Sequence, residues 1–381
     1  MDLSLSAEQQ RMREAVSEFV DDEIVPRAAD IDETDEFPAD LVDRMGELGF
    51  LGMPFPEEYD GAGLDYHAYA LALCEIARGS GGLATVVAAH TSLAGNVVFE
   101  FADESVREEY LPPLNRGEDL GAFALSEPEA GSDVPAMSTT AERDGDGYVI
   151  DGGKVWISNG SVADSIVVFA KTDPDADREG ISTFLVRPDT DEGFHVEGTE
   201  SKLGDKGCPT AELRFEDMYV PEDRLIGAEG EGFRHALKTL NAGRITIAAR
   251  SVGIARAALE DALEYSQDRE QFDRPISDFQ AIQHELAEMD TKVQAARLLM
   301  HEAADRKERG ESYVKAAAQA KLYASEISRE VANAGIQIHG GYGYTTEFPM
   351  ERYYRDAKLN EIYEGTSEVL KNTIAGRLLS E

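Results

Sequence analysis

The stretch Leu213–Leu240, LRFEDMYVPEDRLIGAEGEGFRHALKTL, changes its period part-way along. Leu213 to Val220 reads as a short strand, a Pro, Asp and Gly cluster follows, and from Glu231 the apolar residues return at helical spacing. A β unit therefore ends here and a helical unit begins. Moving outward, the opposite switch falls near Leu120. Between the two, Tyr148 to Ile150, Ile166 to Ala170 and Thr183 to Val186 alternate with Gly, Asp and Pro clusters, as strands and turns do.

Upstream, Ser6 to about Gly117 is helical in pattern. It opens with the Ser6 to Gln9 spacing of a capping box and continues through Met12, Val16, Phe19 and Val20. Pro38, Gly52, Gly61 and Gly63 cut it into several helices, and Leu71 to Ala94 reads as buried helix with a break at Gly79 to Gly82. Downstream, four long periodic stretches, Phe233 to Gln267, Phe279 to Arg309, Tyr313 to Ile338 and Ser367 to Leu379, bury one another's faces most simply as a bundle. At roughly 150 residues per domain, 381 residues hold two or three. The expected class is α+β and multidomain: an N-terminal α-helical domain over residues 1–118, a central β-barrel domain over 119–228, and a C-terminal four-helix bundle over 229–381.

With 75 acidic against 36 basic residues the net charge is −39, which repels nucleic acid and anionic membrane alike. Only 11 of the basic residues are Lys, the balance of a surface kept hydrated in concentrated salt, so we expect halophilic adaptation. No segment approaches the roughly 18 uninterrupted apolar residues of a membrane span, and the start, MDLSLSAEQQRMREAV, is unlike a signal peptide. Cys74 and Cys208 form no CxxC pair and supply no metal site by themselves, so no metal is expected and a reduced cytoplasm fits best.

No G-x-G-x-x-G follows a strand and no G-x-x-x-x-G-K-[ST] occurs, so a nucleotide is held in some other way. Three segments are dense in Gly, Ser and Thr beside charged or aromatic residues. FALSEPEAGSD, Phe123 to Asp133, contains the turn formers Gly131 and Ser132, which expose backbone N–H groups; alone, it is ordinarily a polar loop. KVWISNG, Lys154 to Gly160, carries the single tryptophan; Trp156 on a strand is ordinarily core, although its ring beside Ser158 also suits stacking on a heterocycle. IYEGTSE, Ile362 to Glu368, sets Glu364 just before the last helix, where a carboxylate is commonly a helix-dipole partner.

Taken in order with REQFDRPI, Arg269 to Ile276, and QIHGGYGY, Gln337 to Tyr344, these segments resemble the acyl-CoA dehydrogenase family over essentially the whole chain. YRDAKLNEIYEGTSE is most similar to the short-chain and butyryl type. The resemblance implies FAD, with Phe123, Leu125, Ser126, Gly131, Ser132, Trp156, Ile157 and Ser158 at flavin contacts. It implies that Arg269, Gln271, Phe272, Gln280, Gln337 and Gly341 hold the ADP part of a neighbouring subunit's cofactor, with Thr366 and Glu368 closing the site. A homotetramer built as a dimer of dimers follows from that sharing.

For acyl-CoA, the resemblance implies contacts from Ser132, Arg244 and Gly365. Asn241 stands where many members have Asp, which weakens that carry-over. The implied base is Glu364, and the implied reaction converts a saturated acyl thioester to the trans-2-enoyl thioester, with electrons passed to an electron-transferring flavoprotein. Members that place the base directly before the arginine have a carboxylate where this chain has Gly243. The stretch Thr85 to Leu93, where the glutaryl type has an arginine, offers only His90, so a neutral acyl chain is expected. An acyl-CoA oxidase, a carrier-linked acyl dehydrogenase and a flavin-free helical interaction protein are the alternatives.

Overall fold

In the computed structural model, residues 5–380 are described, so the first four residues of the amphipathic start and the final glutamate lie outside the described residues. Helix α1, Ala7–Phe19, begins on the expected capping box: Ser6 Oγ accepts from the Gln9 N–H at 3.1 Å and Gln9 Oε1 from the Ser6 N–H at 2.9 Å. Then come α2, Ala28–Thr34, α3, Ala39–Glu47, and α4, Tyr66–Gly79. The expected break falls on Ser80, whose extended backbone ends α4 and whose hydroxyl accepts from the Leu83 N–H at 3.3 Å to start α5, Gly81–Val87. A π-helical stretch, Ala88–Gly95, leads into α6, Asn96–Phe101, and then α7, Glu104–Arg116. Gly81–Phe101 is long and apolar enough to cross a membrane by length and composition, but 94% of it is buried inside the protein.

The middle of the chain forms β1, Gly121–Ala124, β2, Thr140–Asp144, β3, Gly147–Ser158, β4, Ser165–Lys171, β5, Ile181–Val186, β6, Phe194–Thr199, and β7, Thr210–Pro221. They make one seven-stranded sheet in the order β1-β4-β2-β3-β7-β6, with β5 on β4. Two register shifts between β3 and β7, at Ile150/Gly152 and Lys154/Ile157, bend the sheet around a core of Tyr148, Ile150, Phe184 and Phe215. The expected barrel is a curled, open sheet instead. Closure needs every strand paired on both edges, whereas β6 pairs only β7, β1 only β4, and β2 meets β4 through the single pair Thr140–Lys171.

The last third contains α8, Gly232–Asp268, a two-residue-per-strand hairpin of β8, Glu270–Gln271, and β9, Arg274–Pro275, then α9, Gln280–Glu308, α10, Val314–His339, α11, Met350–Leu359, and α12, Ser367–Ser380. Helices α8, α9 and α10 pack pairwise, while α11 and α12 both lie on α10. Of these, α11 has no counterpart among the four helices expected from sequence. One apolar core joins the two helical regions: Tyr69, Leu73 and Val87 from the first third meet Ile245, Val252 and Val331 from the last. Each fully buried aliphatic side chain of this kind contributes about 1.5–3 kcal/mol.

Candidate active site

Glu364 sits in the short link from α11 to α12, and the link is conformationally unusual. Glu364 has φ +51° and Gly365 φ +96°, two consecutive left-handed residues. Glycine tolerates this freely, but for Glu364 it costs about 1–2 kcal/mol. The surrounding contacts impose it. Lys321 Nζ on α10 donates to the Gly365 carbonyl at 2.6 Å, and the Ser367 N–H donates to the Glu361 carbonyl at 3.1 Å.

The turn swings the Glu364 carboxyl onto α8 at Gly243, where a Cβ would stand 2.1 Å from Glu364 Oε2. That oxygen has neither solvent contact nor a hydrogen-bond partner. Burial pushes the carboxyl up to about 7, with Lys321, Arg244 and Arg250 acting against it. The Glu364 backbone N–H also lacks an acceptor among the described residues. A carboxylate poised near neutrality beside a free N–H can take a proton next to a carbonyl and stabilise the charge that develops on that carbonyl oxygen.

Arg244 is 6% exposed and faces the same link. Its Nη1 donates to Asn241 Oδ1 at 2.7 Å, while its Nε is buried without a partner. Burial lowers its affinity for its proton, and Glu364 opposes that. Beneath the link lies a network with no signal in the sequence. Arg250, fully buried on α8, bonds Asp205 and Asn360 and lies 5.9 Å from the centre of the Tyr363 ring. Asp205 in turn accepts from Thr85 Oγ1 at 2.6 Å, and its N–H donates to Asp356 Oδ1 at 2.7 Å.

A second group of sequence candidates gathers along the sheet. Trp156 departs from the ordinary core role of a strand tryptophan and leaves its ring open, as a flavin contact would need: it is 58% exposed with φ +59°, because the register shift between Lys154 and Ile157 throws it out of the strand's alternation. Ser158 is half-buried, and Gly131 and Ser132 lie open. Phe123, Leu125 and Ile157 bury their side chains in the sheet's cores, and the Ser126 carbonyl accepts from the Val155 N–H at 3.0 Å. Reasoning from sequence missed the brace that joins these segments. Fully buried Lys154 donates to Glu127 Oε1 at 2.7 Å, and the same carboxylate accepts from the Ser138 N–H at 2.6 Å and the Thr139 N–H at 3.1 Å. Lys154, Thr139 and Ser138 hold Glu127 down at about 2 against the effect of burial.

A third group, Arg269, Gln271, Phe272, Gln280, Gln337 and Gly341, is exposed at one end of the C-terminal helices. The Arg269 guanidinium lies 5.8 Å from the Tyr342 ring centre, beside a cleft of about 500 Å³ that Arg269, Tyr265 and His339 help to line. No hydrogen bond or ion pair among the described residues joins this group to Glu364 or Trp156. Thr366 Oγ1 accepts from the Val369 N–H at 3.3 Å at the start of α12, and Glu368 is exposed. His90 is neutral, pushed down to about 4 by burial; it accepts from the Gly121 N–H at 2.9 Å and its other ring nitrogen lies 3.1 Å from the Leu114 carbonyl. It is no substitute for an arginine.

Three family profiles match: "Acyl-CoA dehydrogenase, N-terminal domain" over residues 6–118, "middle domain" over 122–218 and "C-terminal domain" over 230–379. The chain is 45% identical to a short-chain specific acyl-CoA dehydrogenase of Clostridium acetobutylicum, over 99% of this chain and 100% of that one. It is 40% identical to the solved butyryl-CoA dehydrogenase of Megasphaera elsdenii, with TM-score 0.98 and all of both chains covered. A chain in the solved structure described as the electron transferring flavoprotein of Acidaminococcus fermentans is 44% identical, with TM-score 0.99 and full coverage of both.

Proposed function

The chain belongs to the acyl-CoA dehydrogenase family and is an FAD-dependent oxidoreductase of saturated acyl-CoA thioesters, and within that activity we propose that Glu364 is the base. The observation that carries this is the Glu364 carboxyl, shielded from solvent at Oε2, unpaired, and pushed up to about 7. Gly243 leaves room for it and offers no competing base.

The residues present fit a flavin dinucleotide. Trp156 exposes a flat ring at an unusual backbone angle, Gly131 and Ser132 present an open turn, and Arg269 is free to grip a pyrophosphate with parallel charge-assisted bonds. Phe123, Leu125, Ser126, Ile157 and Ser158 would complete the flavin side. Gln271, Phe272, Gln280, Gln337 and Gly341 would meet the ADP part of an adjacent subunit's cofactor, with Thr366 and Glu368 at the closing edge. Bound there, FAD would supply the acceptor for the hydride leaving the substrate β-carbon. Glu364 removes the α-proton, and its N–H steadies the thioester oxygen as charge builds there. Gly365 leaves space for the thioester, while Arg244, steered by Asn241, and Ser132 line its approach.

A short, uncharged acyl chain is favoured, because His90 is neutral and the relatives named above are short-chain and butyryl enzymes. The same relatives favour a dehydrogenase over an oxidase or a carrier-linked enzyme, and the match to a chain in an electron-transferring-flavoprotein structure supports that protein class as the electron acceptor. We read the assembly as a homotetramer, each chain with domains at 1–118, 119–228 and 229–381, the last a four-helix bundle. Phe272 and Tyr344, 87% and 86% exposed, support burial against a second subunit. The free, buried Cys74 and Cys208 support a reducing cytoplasm.

The test is anaerobic mixing of the yellow holoenzyme with straight and branched saturated acyl-CoAs. Short straight chains should bleach the flavin, and turnover in air with a dye acceptor should release little peroxide. No bleaching by any of them would contradict the reading.

A further inference from the structure

Lys321 lies about two turns into α10 with no exposed surface. Its helix neighbours Ala317, Ala320 and Ala324 are equally buried, so an apolar residue would be the ordinary occupant, and the ammonium calls for a reason. Its Nζ donates to the Gly365 carbonyl, and no carboxylate lies within ion-pair distance of it among the described residues. That carbonyl belongs to the residue directly after Glu364, in the link where both residues have positive φ.

We propose that Lys321 is a positioning residue for the base: it fastens the Gly365 carbonyl, so holding the Glu364 carboxyl over Gly243, and its buried charge favours the ionised carboxyl. This rests on reading Glu364 as the base. The charged and titratable groups that bear on Glu364 are few. From α8 come Arg244 and Arg250, from α10 Lys321, from α4 the phenols of Tyr66 and Tyr69, and from the link itself Tyr363. Burial keeps the three phenols neutral, and Arg250 is already answered by Asp205. Arg244 and Lys321 are thus the cations left to Glu364, and Lys321 opposes the effect of burial most. Burial pushes Lys321 itself down to about 8, while the nearby Glu364 favours its ammonium charge. Glu361 and Glu368 support that charge, and Arg244 works against it.

Lys321→Met removes donor and charge together, whereas Lys321→Gln keeps an N–H donor without the charge. The holoenzymes are compared by FAD content, by the pH profile of flavin reduction with butyryl-CoA, and by infrared titration of the Glu364 carboxyl, identified by subtraction of an E364Q spectrum. In both variants the carboxyl titration and the kinetic midpoint should move up by about one pH unit, costing about tenfold in rate below the midpoint. At high pH, K321Q should reduce faster than K321M, since only it still holds the Gly365 carbonyl. A flavin-loaded K321M whose titration coincides with the parent's overturns the proposal, and if methionine prevents folding, an unmoved K321Q titration does so. If no acyl-CoA bleaches the parent, the functional reading falls instead, while the infrared titration still reports the lysine's effect on Glu364.

Discussion

Gly243 and Glu364 come from segments more than a hundred positions apart, yet they compete for one volume. A Cβ on residue 243 would stand 2.1 Å from Glu364 Oε2 with Leu93 behind it at 3.4 Å, so the carboxyl is the part that must move. Since a misplacement of about 1 Å can cost roughly a hundredfold in rate, Gly243→Ala should slow flavin reduction by about that factor while leaving FAD bound. A rate within a few-fold of the parent would contradict the placement of the carboxyl. Ionisation of Glu364 also couples to stability. Its folded value, about 7, lies above the ordinary 4.5, so the native state keeps a proton that the unfolded chain has released. Stability from this group is present below 4.5 and is lost as pH rises through about 7. Glu364→Gln, free of that loss, should therefore melt higher than the parent above neutral pH and lose less on going up through the window; parallel melting curves would contradict it. Glu364 and Arg244 were named as candidates from motif order, and the structure sets them beside one link. Lys321, Lys154 and Arg250 were not, because their partners lie 44, 27 and 45 positions away, beyond any local spacing rule.

Strand β3 and the segment after β1 are tied by the buried Lys154–Glu127 pair, and this brace sets the exposed Trp156 and the Gly131–Ser132 turn against one sheet. Breaking a buried pair from one side strands a charge. Lys154→Met should cost about 3–5 kcal/mol, seen as a lower melting temperature, and should reduce FAD occupancy because both flavin-side segments lose their support. An unchanged melting temperature with full FAD would show that the brace is incidental. At this scale the sequence was readable wherever the period was long or clean: β4, β5 and β7 and the four long helices fall within a few residues of their expected spans. Three strands of the large sheet and one helix escaped for physical reasons. Strand β1 is four residues, all buried, and so has no alternation; β2 is short; β6 is a mostly exposed edge whose apolar alternation is limited to Phe194 and Val196. Helix α11 overlaps the motif-rich segment Tyr354 to Glu368, where the Asp356 carboxylate turns inward to the Asp205 N–H and Asn360 to Arg250, and these buried polar residues hide the helical period. The barrel expectation failed because strand-forming segments are visible in sequence while closure is not.

Across the whole molecule, apolar residues from the first and last thirds share one core, with the sheet's own core beside it, and apart from buried groups such as Lys154, Arg250 and Lys321 the charge lies towards the surface. A net charge of −39 has to be tolerated there, and many ion pairs, such as Arg27–Asp40 and Arg143–Glu222, are solvent-exposed and contribute little each. Screening shrinks from about 30 Å at 0.01 M salt to about 3 Å at 1 M, so repulsion among 75 acidic residues should fall sharply with added salt. The melting temperature should therefore climb from dilute buffer to molar KCl. Equal values in the two would refute halophilic adaptation. Domain order was legible at this scale because each change of period, near Leu120 and Glu231, marks a change of architecture.

The central claim, that Glu364 takes the α-proton, is tested most directly by single-turnover mixing of Glu364→Gln holoenzyme with butyryl-CoA under anaerobic conditions. The amide keeps the side chain's size, and the backbone N–H is untouched, so the variant should remain yellow and its flavin spectrum should still shift on binding. Flavin reduction should fall by at least the 10² to 10⁴-fold typical of a lost general base. Reduction within a few-fold of the parent would place the base elsewhere and contradict the account.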